Sequence, residues 1–370
     1  MKSIYIAIFI LAWLGISWGL SFLLNLEGWI GILLFLIGSS AIFSYQILPF
    51  IISRMHSQNF LAPDMNKKEK PKVAQFGGIA IFFAFSLGIT FAIFFHSFLP
   101  IATFKFELSL LFAGFTTILL VAFLGVFDDL IGWTNGIRQY QHALVPVFAA
   151  LPLMAIQAGT TTMALPIIGQ VDFGIFYALI LIPIGVTGAA NALNMLAGLN
   201  GLEAGLGIIL TSTLLLLSVL ENQIESAIIM AALLGALIGF LKYNWFPAKI
   251  FPGDATTLMV GASIAVASII GNFERLGILL LFLFFIELIL KSRTKFQVQS
   301  FGIPQKGGWL KAPPKIGSLT HVIMRRGQFS EKQVVLIILG LQIIISAIVL
   351  GYWYLNSIEF FRILSPWVIL

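Results

Sequence analysis

Long apolar runs alternate with short polar segments along most of the chain. Most of these runs approach or exceed the ~20 residues that a helix needs to cross the hydrocarbon core of a bilayer. Because a segment in lipid must satisfy its own backbone hydrogen bonds, each run is expected to be a helix. We count eleven runs, at about 3–24, 28–52, 77–101, 108–127, 142–158, 173–190, 203–220, 226–242, 257–272, 275–291 and 333–355.

This pattern predicts an all-α polytopic membrane protein with 10–11 transmembrane helices. The lower number applies if one of the runs near 142–158, 203–220 and 257–272, which are short or interrupted by Gly or Pro, does not cross. The composition agrees, since 59% of the 370 residues are hydrophobic, 10% are charged and the mean hydropathy is +1.02. We treat residues 1–370 as a single integral membrane domain.

Two further expectations concern the first run and the segment 159–172. The first run is long for a signal peptide and lacks a small-residue cleavage site, so we expect it to be retained as a helix. The segment 159–172 holds β-branched and turn residues, which predict a short hairpin on the outer side of the membrane.

The basic residues predict the orientation. If the helices alternate, the segments 53–76, 128–141, 191–203, 243–256 and 292–332 face the same side. Counted with their edges and Lys2, they hold all of the 21 lysines and arginines except Lys105, Arg275 and Arg362. Cytoplasmic loops carry such an excess, so these segments are expected in the cytoplasm. The net charge of +6 therefore indicates contact with membrane lipids and an anionic substrate, and does not indicate nucleic acid.

The chain has no cysteine, which excludes disulfides, thiolate nucleophiles and thiolate metal sites. Its four histidines show no spacing typical of a zinc site. Any metal or catalytic chemistry is therefore expected to rest on carboxylate and amide groups.

Asp128 and Asp129 end the fourth run, at the predicted cytoplasmic edge of the membrane. Two adjacent carboxylates repel each other, and a bound cation relieves that repulsion. Ionisable residues at membrane depth are usually functional. The alternative is a polar helix end that is simply exposed to the cytoplasm.

Asp254 follows F-P-G at the start of the ninth run. One interpretation is a helix N-cap, which stabilises by ~1 kcal/mol. The other is a Mg²⁺ ligand, since a helix N-terminus is a favourable place for phosphate.

The stretch Asn191–Gly205 reads N-A-L-N-M-L-A-G-L-N-G-L-E-A-G and lies between two apolar runs. Amide side chains both donate and accept hydrogen bonds, and glycine lets a backbone approach a ligand closely. The alternative is a helix end, a turn and a new helix start. With the aspartates, the stretch forms an oxygen-ligand set suited to Mg²⁺ and phosphate. The sequence thus indicates a membrane enzyme that handles a phosphorylated substrate at the cytoplasmic interface.

Other segments predict packing. Gly77 and Gly78 begin the third run and indicate close approach of another backbone or a ligand. The lysines of 67–72 favour a lipid-facing anchor. Residues 319–326 suggest an amphipathic helix on the membrane surface, and Glu287 is a candidate buried carboxylate in the tenth run.

Three motifs resemble the polyprenyl-phosphate N-acetylhexosamine-1-phosphate transferases. They are G-V-F-D-D-L at 125–130, the 191–205 stretch and N-W-F-P-A-K-I-F-P-G-D-A at 244–255, in the order that the family has them. The resemblance extends from about residue 60 to 350. The 191–205 stretch is similar to the eukaryotic and archaeal branch, and Q-S-F-G at 299–302 and S-L-T-H-V-I-M-R-R at 318–326 resemble archaeal members.

The resemblance implies transfer of GlcNAc-1-phosphate from UDP-GlcNAc to dolichyl or another polyprenyl phosphate, with release of UMP. This reaction begins lipid-linked oligosaccharide assembly for N-glycosylation. It implies Mg²⁺, or Mn²⁺ in its place, and a homodimer. The expected location is the cell membrane, or the endoplasmic reticulum membrane of a eukaryote, with the active site facing the cytoplasm.

The resemblance also implies roles for individual residues. Asn194 and Asp254 would hold the metal, and Asp128 and Asp129 would act as catalytic residues beside the lipid phosphate. The nucleotide sugar would be bound by Asn191, Gly198, Asn200, Glu203, Phe251, Arg293 and Lys295, with Gly198, Asn200 and Phe251 at the uracil. Arg138 or His142 would meet the lipid phosphate, where the family usually has a lysine.

Departures from the family pattern leave alternatives open. The last loop lacks the Arg-His-Arg of eukaryotic enzymes and the His-rich motif of bacterial ones, and the proline expected before Gly77 is missing. One alternative is the same chemistry with another UDP-N-acetylhexosamine or polyprenyl phosphate, for cell-envelope glycans. A second is a membrane transporter, although transporters usually carry acids near the bilayer midplane and have repeated halves.

Overall fold

The computed structural model describes Trp13, Gly15 and residues 28–99, 104–131, 146–165 and 169–358. Helices dominate this part of the chain. They are α1 (Gly28–Ser57), α2 (Gly78–Phe98), α3 (Leu108–Ile131), α4 (Leu151–Ala155), α5 (Ile182–Met195), α6 (Leu202–Leu220), α7 (Ile224–Asn244), α8 (Asp254–Ile270), α9 (Glu274–Leu280), α10 (Phe282–Arg293), α11 (Leu319–Met324) and α12 (Glu331–Ser357). A π-helical turn, Tyr177–Leu181, leads directly into α5.

Seven helices in the described residues are long and apolar enough to cross a membrane. They are α1, α2, α3, the continuous helix Tyr177–Met195, α6, α7 and α12. Helix α8 is apolar but has only 17 residues. The chain is therefore an all-α, multi-pass membrane protein, as the apolar pattern predicts.

The remaining predicted spans are described only in part or differ in detail. The run at 3–24 lies outside the described residues apart from Trp13 and Gly15, and the described part of 142–158 includes the short helix α4. The run at 275–291 corresponds to two helices, α9 and α10, which meet at Leu281.

In the part of the chain that the structure describes, three two-stranded antiparallel hairpins connect helices. They are β1 (Leu61–Pro63) with β2 (Lys72–Ala74), β3 (Thr162–Leu165) with β4 (Gly169–Asp172), and β5 (Ile303–Pro304) with β6 (Leu310–Lys311). The hairpin predicted at 159–172 is confirmed. The other two were not predicted, because strands of two or three residues are too short to show an alternating pattern.

Helix α7 lies at the centre of the bundle and packs against α1, α2 and α6. Gly235 and Gly239 make the contact with α1 close, since a Cβ at these positions would overlap the backbone oxygens of Ile37 and Ala41. Lipid tails are as apolar as leucine, so close packing of small residues is a main source of helix association in membranes.

Helix α8 is enclosed by protein, and every residue from Ala255 to Ile270 is buried. It packs mainly against α3 and α5. Gly125 of α3 permits this, since a Cβ there would lie 2.5 Å from the Ala255 Cα. The packing brings the start of α8 next to the ends of α3 and α5, which carry the polar motifs.

The glycine pair at the start of α2 packs closely against another backbone segment, as predicted. Gly77 N–H donates to the Phe251 carbonyl at 2.9 Å, and Gly78 N–H donates to that of Pro252 at 2.8 Å. The loop between α1 and α2 thus lies alongside the segment that leads into α8.

The prediction of a surface helix at 319–326 is wrong. Helix α11 is buried on most of its residues, and Leu319 N–H donates to Glu287 Oε2 at 2.7 Å. Glu287 is fully buried, as predicted, and lies 3.7 Å from Lys291 Nζ. The polar residues of α11 contact protein partners rather than headgroups. The start of the helix is bound to a buried carboxylate and therefore lies inside the protein.

Candidate functional site

Asp129 caps the start of α8 from another helix. Its Oδ1 accepts from Asp254 N–H at 2.9 Å and its Oδ2 accepts from Ala255 N–H at 3.2 Å. The first N–H groups of a helix have no partner within the helix, and a negative charge there is favourable. Gly253, with φ of 73°, leaves no room for a side chain, since a Cβ would overlap the Asp129 carboxylate.

Asn194 and Asp254, the predicted metal ligands, are adjacent. Asn194 Nδ2 donates to Asp254 Oδ2 at 3.4 Å. Thr257, one turn further along α8, donates through Oγ1 to Asn194 Oδ1 at 3.1 Å. Asp254 is the first residue of α8 and Gly253 is its N-cap, so the interpretation of Asp254 as the capping residue is wrong.

The Asn194–Asp254 pair fits a divalent cation chemically. A half-turn of the Asn194 amide would direct Oδ1 toward Asp254 and the NH₂ group toward Thr257, whose hydroxyl can also accept. Mg²⁺ in phosphate enzymes commonly uses one or two carboxylates and completes its shell with substrate phosphate and water. No group of three or more His, Cys, Asp or Glu that could hold a metal occurs among the described residues, so substrate oxygens would be needed.

Asp128 lies half-buried beside Asp129 in the last turns of α3. Its neighbours Phe127 and Leu130 are 50% and 58% exposed. In a membrane helix, such exposed apolar side chains face lipid. The two aspartates therefore lie between an exposed apolar surface of α3 and the start of α8.

Gly198 is held at the centre of the 191–205 stretch. Its N–H donates to Glu203 Oε1 at 2.6 Å, and its carbonyl accepts from Asn66 Nδ2 at 2.8 Å. Its φ of 111° favours glycine, and a Cβ there would lie 2.6 Å from the Phe301 ring. Gly198 is therefore required by both backbone conformation and space.

Other predicted nucleotide-binding side chains have protein partners. Asn200 is buried and donates through Nδ2 to Asp64 Oδ2 at 3.0 Å, and Asn191 Nδ2 donates to the Thr187 carbonyl at 2.9 Å. Phe251 is half-buried, and its N–H donates to the Ala74 carbonyl at 2.8 Å. Their contacts with a nucleotide remain predictions.

Two predicted residues show no contact with the cluster among the described interactions. Arg293 and Lys295 are exposed at the end of α10 and just beyond it. Arg138 and His142 lie outside the described residues.

Several residues at the site were not predicted. Asp64 and Asn66 had no predicted role, and Lys67 was predicted to belong to a lipid-facing lysine anchor. All three contact the 191–205 stretch or the start of α12. Glu331 follows Ser330, which forms a capping box with Gln333, so its sequence context indicates only a helix start. The D-x-N spacing at 64–66 was the one available sign of a turn with Asx side chains.

A cavity of ≈ 460 Å³ lies at the opposite end of α8 and has a mixed polar and apolar lining. Its charged groups pair locally, since Arg275 donates to the Tyr352 hydroxyl and Glu221 accepts from the Trp353 ring N–H. A helix of 17 residues spans about 25 Å, so this cavity is remote from the aspartates.

Comparison with known proteins agrees with the geometry. A family model described as glycosyl transferase family 4 matches residues 111–272, which include Asp128, Asn194 and Asp254. A protein of Saccharolobus solfataricus, provisionally named UDP-N-acetylglucosamine–dolichyl-phosphate N-acetylglucosaminephosphotransferase, is 36% identical over 82% of this chain and 92% of its own length. The chain belongs to glycosyl transferase family 4.

Two further members are similar over most of their length. One from Sulfolobus acidocaldarius, with the same provisional name, is 35% identical over 80% of this chain and 88% of its own length. One from Dictyostelium discoideum, named for the same activity, is 28% identical over 85% of this chain and 86% of its own length.

Proposed function

We propose that the protein transfers GlcNAc-1-phosphate from UDP-GlcNAc to dolichyl or another polyprenyl phosphate, releasing UMP. This is the first step in assembling a lipid-linked oligosaccharide. The observation that carries the proposal is the meeting of Asp129, Asn194 and Asp254 at the start of α8, in a family 4 chain whose relatives are named for this reaction.

The reaction exchanges one phosphorus–oxygen bond for another. An oxygen of the lipid phosphate forms a bond to the β-phosphorus of UDP-GlcNAc, and the bond from that phosphorus to the bridging oxygen breaks. The bridging oxygen leaves with UMP. Catalysis of this kind depends mainly on positioning and on neutralising phosphate charge.

Asp254 and Asn194 are the residues that would hold Mg²⁺, or Mn²⁺ in its place. The ion would supply positive charge to the pyrophosphate. The start of α8 adds its own partial positive charge in the same place. Asp129, through its two hydrogen bonds, keeps that helix start in position.

Asp128 is proposed to lie beside the lipid phosphate, because α3 presents Phe127 and Leu130 to lipid next to it. A polyprenyl chain would lie along this apolar face, with its phosphate level with the carboxylates. Arg138 or His142 would supply the cation for that phosphate, and Arg293 or Lys295 would meet the pyrophosphate of the nucleotide sugar.

The excess of basic residues supports a site that faces the cytoplasm, in the cell membrane or in the endoplasmic reticulum membrane of a eukaryote. A homodimer is proposed from the family resemblance alone.

The test is UMP release from UDP-GlcNAc by detergent-purified protein, with and without dolichyl phosphate, in Mg²⁺ or EDTA. We expect release only when lipid and Mg²⁺ are both present. Other UDP-N-acetylhexosamines and polyprenyl phosphates, added as competitors, identify the preferred pair. No UMP release with any donor from folded protein would contradict the proposal and favour a transporter.

A further inference from the structure

Three separate segments meet around Asn200 in a buried polar cluster. Asn200 Nδ2 donates to Asp64 Oδ2 at 3.0 Å, and Asn200 N–H donates to Glu331 Oε1 at 2.8 Å. Lys67 Nζ lies 3.3 Å from Asp64 Oδ2 and also pairs with Glu331. We call Asp64, Lys67, Asn200 and Glu331 the latch.

The charges of the latch depend on one another. The side chains of Asp64 and Glu331 are 4% and 3% exposed, whereas that of Lys67 is 22% exposed. Two carboxylates this deeply buried would repel each other without a cation between them. Lys67 supplies the cation, and its ammonium also lies 4.2 Å from the centre of the Phe246 ring.

A neighbouring asparagine, Asn66, connects these residues to Gly198 by hydrogen bonds. Asn66 donates through Nδ2 to the Gly198 carbonyl at 2.8 Å, and its Oδ1 accepts from Gly302 N–H at 3.0 Å. Asn66 N–H in turn donates to Asp64 Oδ1 at 3.1 Å. The segment 196–200, which directly follows α5 and its Asn194, is therefore held by the first cytoplasmic loop, the last loop and α12.

We propose that the latch positions the segment 196–200, with Asn200 in it, for the nucleotide half of the donor substrate. This inference rests on the proposed function. It identifies Asp64, Lys67 and Glu331 as positioning residues, and all three lie outside the part of the chain that the family 4 model matches. The lipid half of the site, at the end of α3, has no contact with the latch among the described interactions.

The experiment compares Lys67→Met with a control, Lys68→Met, the exposed lysine next to it. Steady-state UMP release is measured while UDP-GlcNAc and the lipid are varied separately. We expect the KM for UDP-GlcNAc to rise about tenfold or more in Lys67→Met. Loss of a residue that orients the groups in direct contact with a ligand has an effect of this size. The lipid KM is expected to change little and Lys68→Met to resemble wild type. The melting temperature of Lys67→Met is expected to fall, because two buried carboxylates lose their cation.

Charge coupling gives a second readout. Glu331→Gln alone removes one of the two carboxylates, so combining it with Lys67→Met relieves the repulsion that the single lysine variant creates. The rise in nucleotide KM in the double variant is therefore expected to be smaller than the product of the two single effects. Lys67→Arg, which keeps the charge, is expected to retain a KM within a few-fold of wild type.

The outcomes separate the inference from the proposed function. Wild-type protein that releases no UMP defeats the proposed function. Active wild type with an unchanged nucleotide KM in folded Lys67→Met overturns the latch, as does an equal rise of both KM values. If Lys67→Met does not fold, Asn66→Ala, which loses the bond to the Gly198 carbonyl, is measured against the same criteria, together with calorimetric binding of UMP to the purified protein.

Discussion

Asp129, and not Asp254, caps the start of α8. Asp254 stands where a capping residue is expected, yet its carboxylate lies beside Asn194. The cap comes from Asp129, which the sequence places on a different helix. A helix start that is capped by a neighbouring helix leaves its own first side chain available for a ligand.

Replacing Asp254 with Asn should reduce turnover by about a hundredfold or more, because the bound cation loses its charged ligand. UMP release in saturating UDP-GlcNAc, lipid and Mg²⁺ measures the effect. Glu69→Gln, which changes an exposed carboxylate between β1 and β2, is the matched control and should behave as wild type. Near-normal activity of Asp254→Asn with its Mg²⁺ dependence intact would remove Asp254 from the site.

His321, in α11, is expected to make the stability of the protein sensitive to acid. Burial lowers the pKa of its imidazole to about 4, from an ordinary value of 6.5. Gly317 N–H donates to Nδ1, and Nε2 is 3.0 Å from the Phe301 carbonyl, so the neutral ring is the form that fits. The unfolded chain binds this proton more readily than the folded protein does. The contribution of His321 to the free energy of unfolding is therefore complete above pH 6.5 and falls as the pH drops toward 4.

Between pH 7 and pH 5 this difference in pKa corresponds to about 2 kcal/mol of lost stability. Melting temperatures of wild type and His321→Gln at both pH values test it. The wild type is expected to lose more melting temperature on acidification than the variant does. An equal loss in both proteins would show that other groups carry the acid sensitivity.

At the scale of elements, close helix packing without bulky side chains brings the site together. Helix α7 touches α1 through Gly235 and Gly239, and α8 fits against α3 through Gly125. The latter contact places the Asp254 backbone within reach of Asp129. The small residue at position 125 is therefore a condition for the site, whereas Gly235 and Gly239 serve the packing of the bundle.

A methyl group at Gly235 should force α1 and α7 apart, because it would overlap the Ile37 backbone oxygen. We expect Gly235→Ala to destabilise the protein by about 1–3 kcal/mol, as for overpacked cores. The melting temperature in detergent measures this. Gly340→Ala in α12, where no atom lies within 4 Å of the added Cβ, is the control and should be neutral or stabilising. Equal effects of the two substitutions would contradict the close α1–α7 contact.

At the scale of the whole molecule, the absence of cysteine makes orientation directly testable. Single cysteines at Lys68, in the first loop, and at Gln170, in the hairpin β3–β4, report opposite sides of the membrane. In intact cells a membrane-impermeant maleimide should label Gln170→Cys, while Lys68→Cys should react only after permeabilisation. The reverse pattern would place the candidate site outside the cytoplasm and refute the charge-based orientation.

Local pattern was sufficient for the parts of this protein that depend on short stretches of chain. Helices follow from apolar runs because lipid leaves the backbone few alternatives, and Asp128, Asp129, Asn194 and Asp254 were identified by their unusual polarity at a membrane edge. The family resemblance added the reaction, which residue chemistry alone leaves at phosphate and a divalent cation.

Only the tertiary structure decided which polar groups meet and which of them are buried. Asn200 reads in the sequence as a ligand or a turn residue, but its partners Asp64 and Glu331 are more than 130 residues away in the chain. The local composition of α11 predicts a surface helix. The residue that binds its first N–H, the buried Glu287, lies in another helix and leaves no sign in that local composition. Pairings between distant segments depend on how helices pack, and no periodicity within a single segment records them.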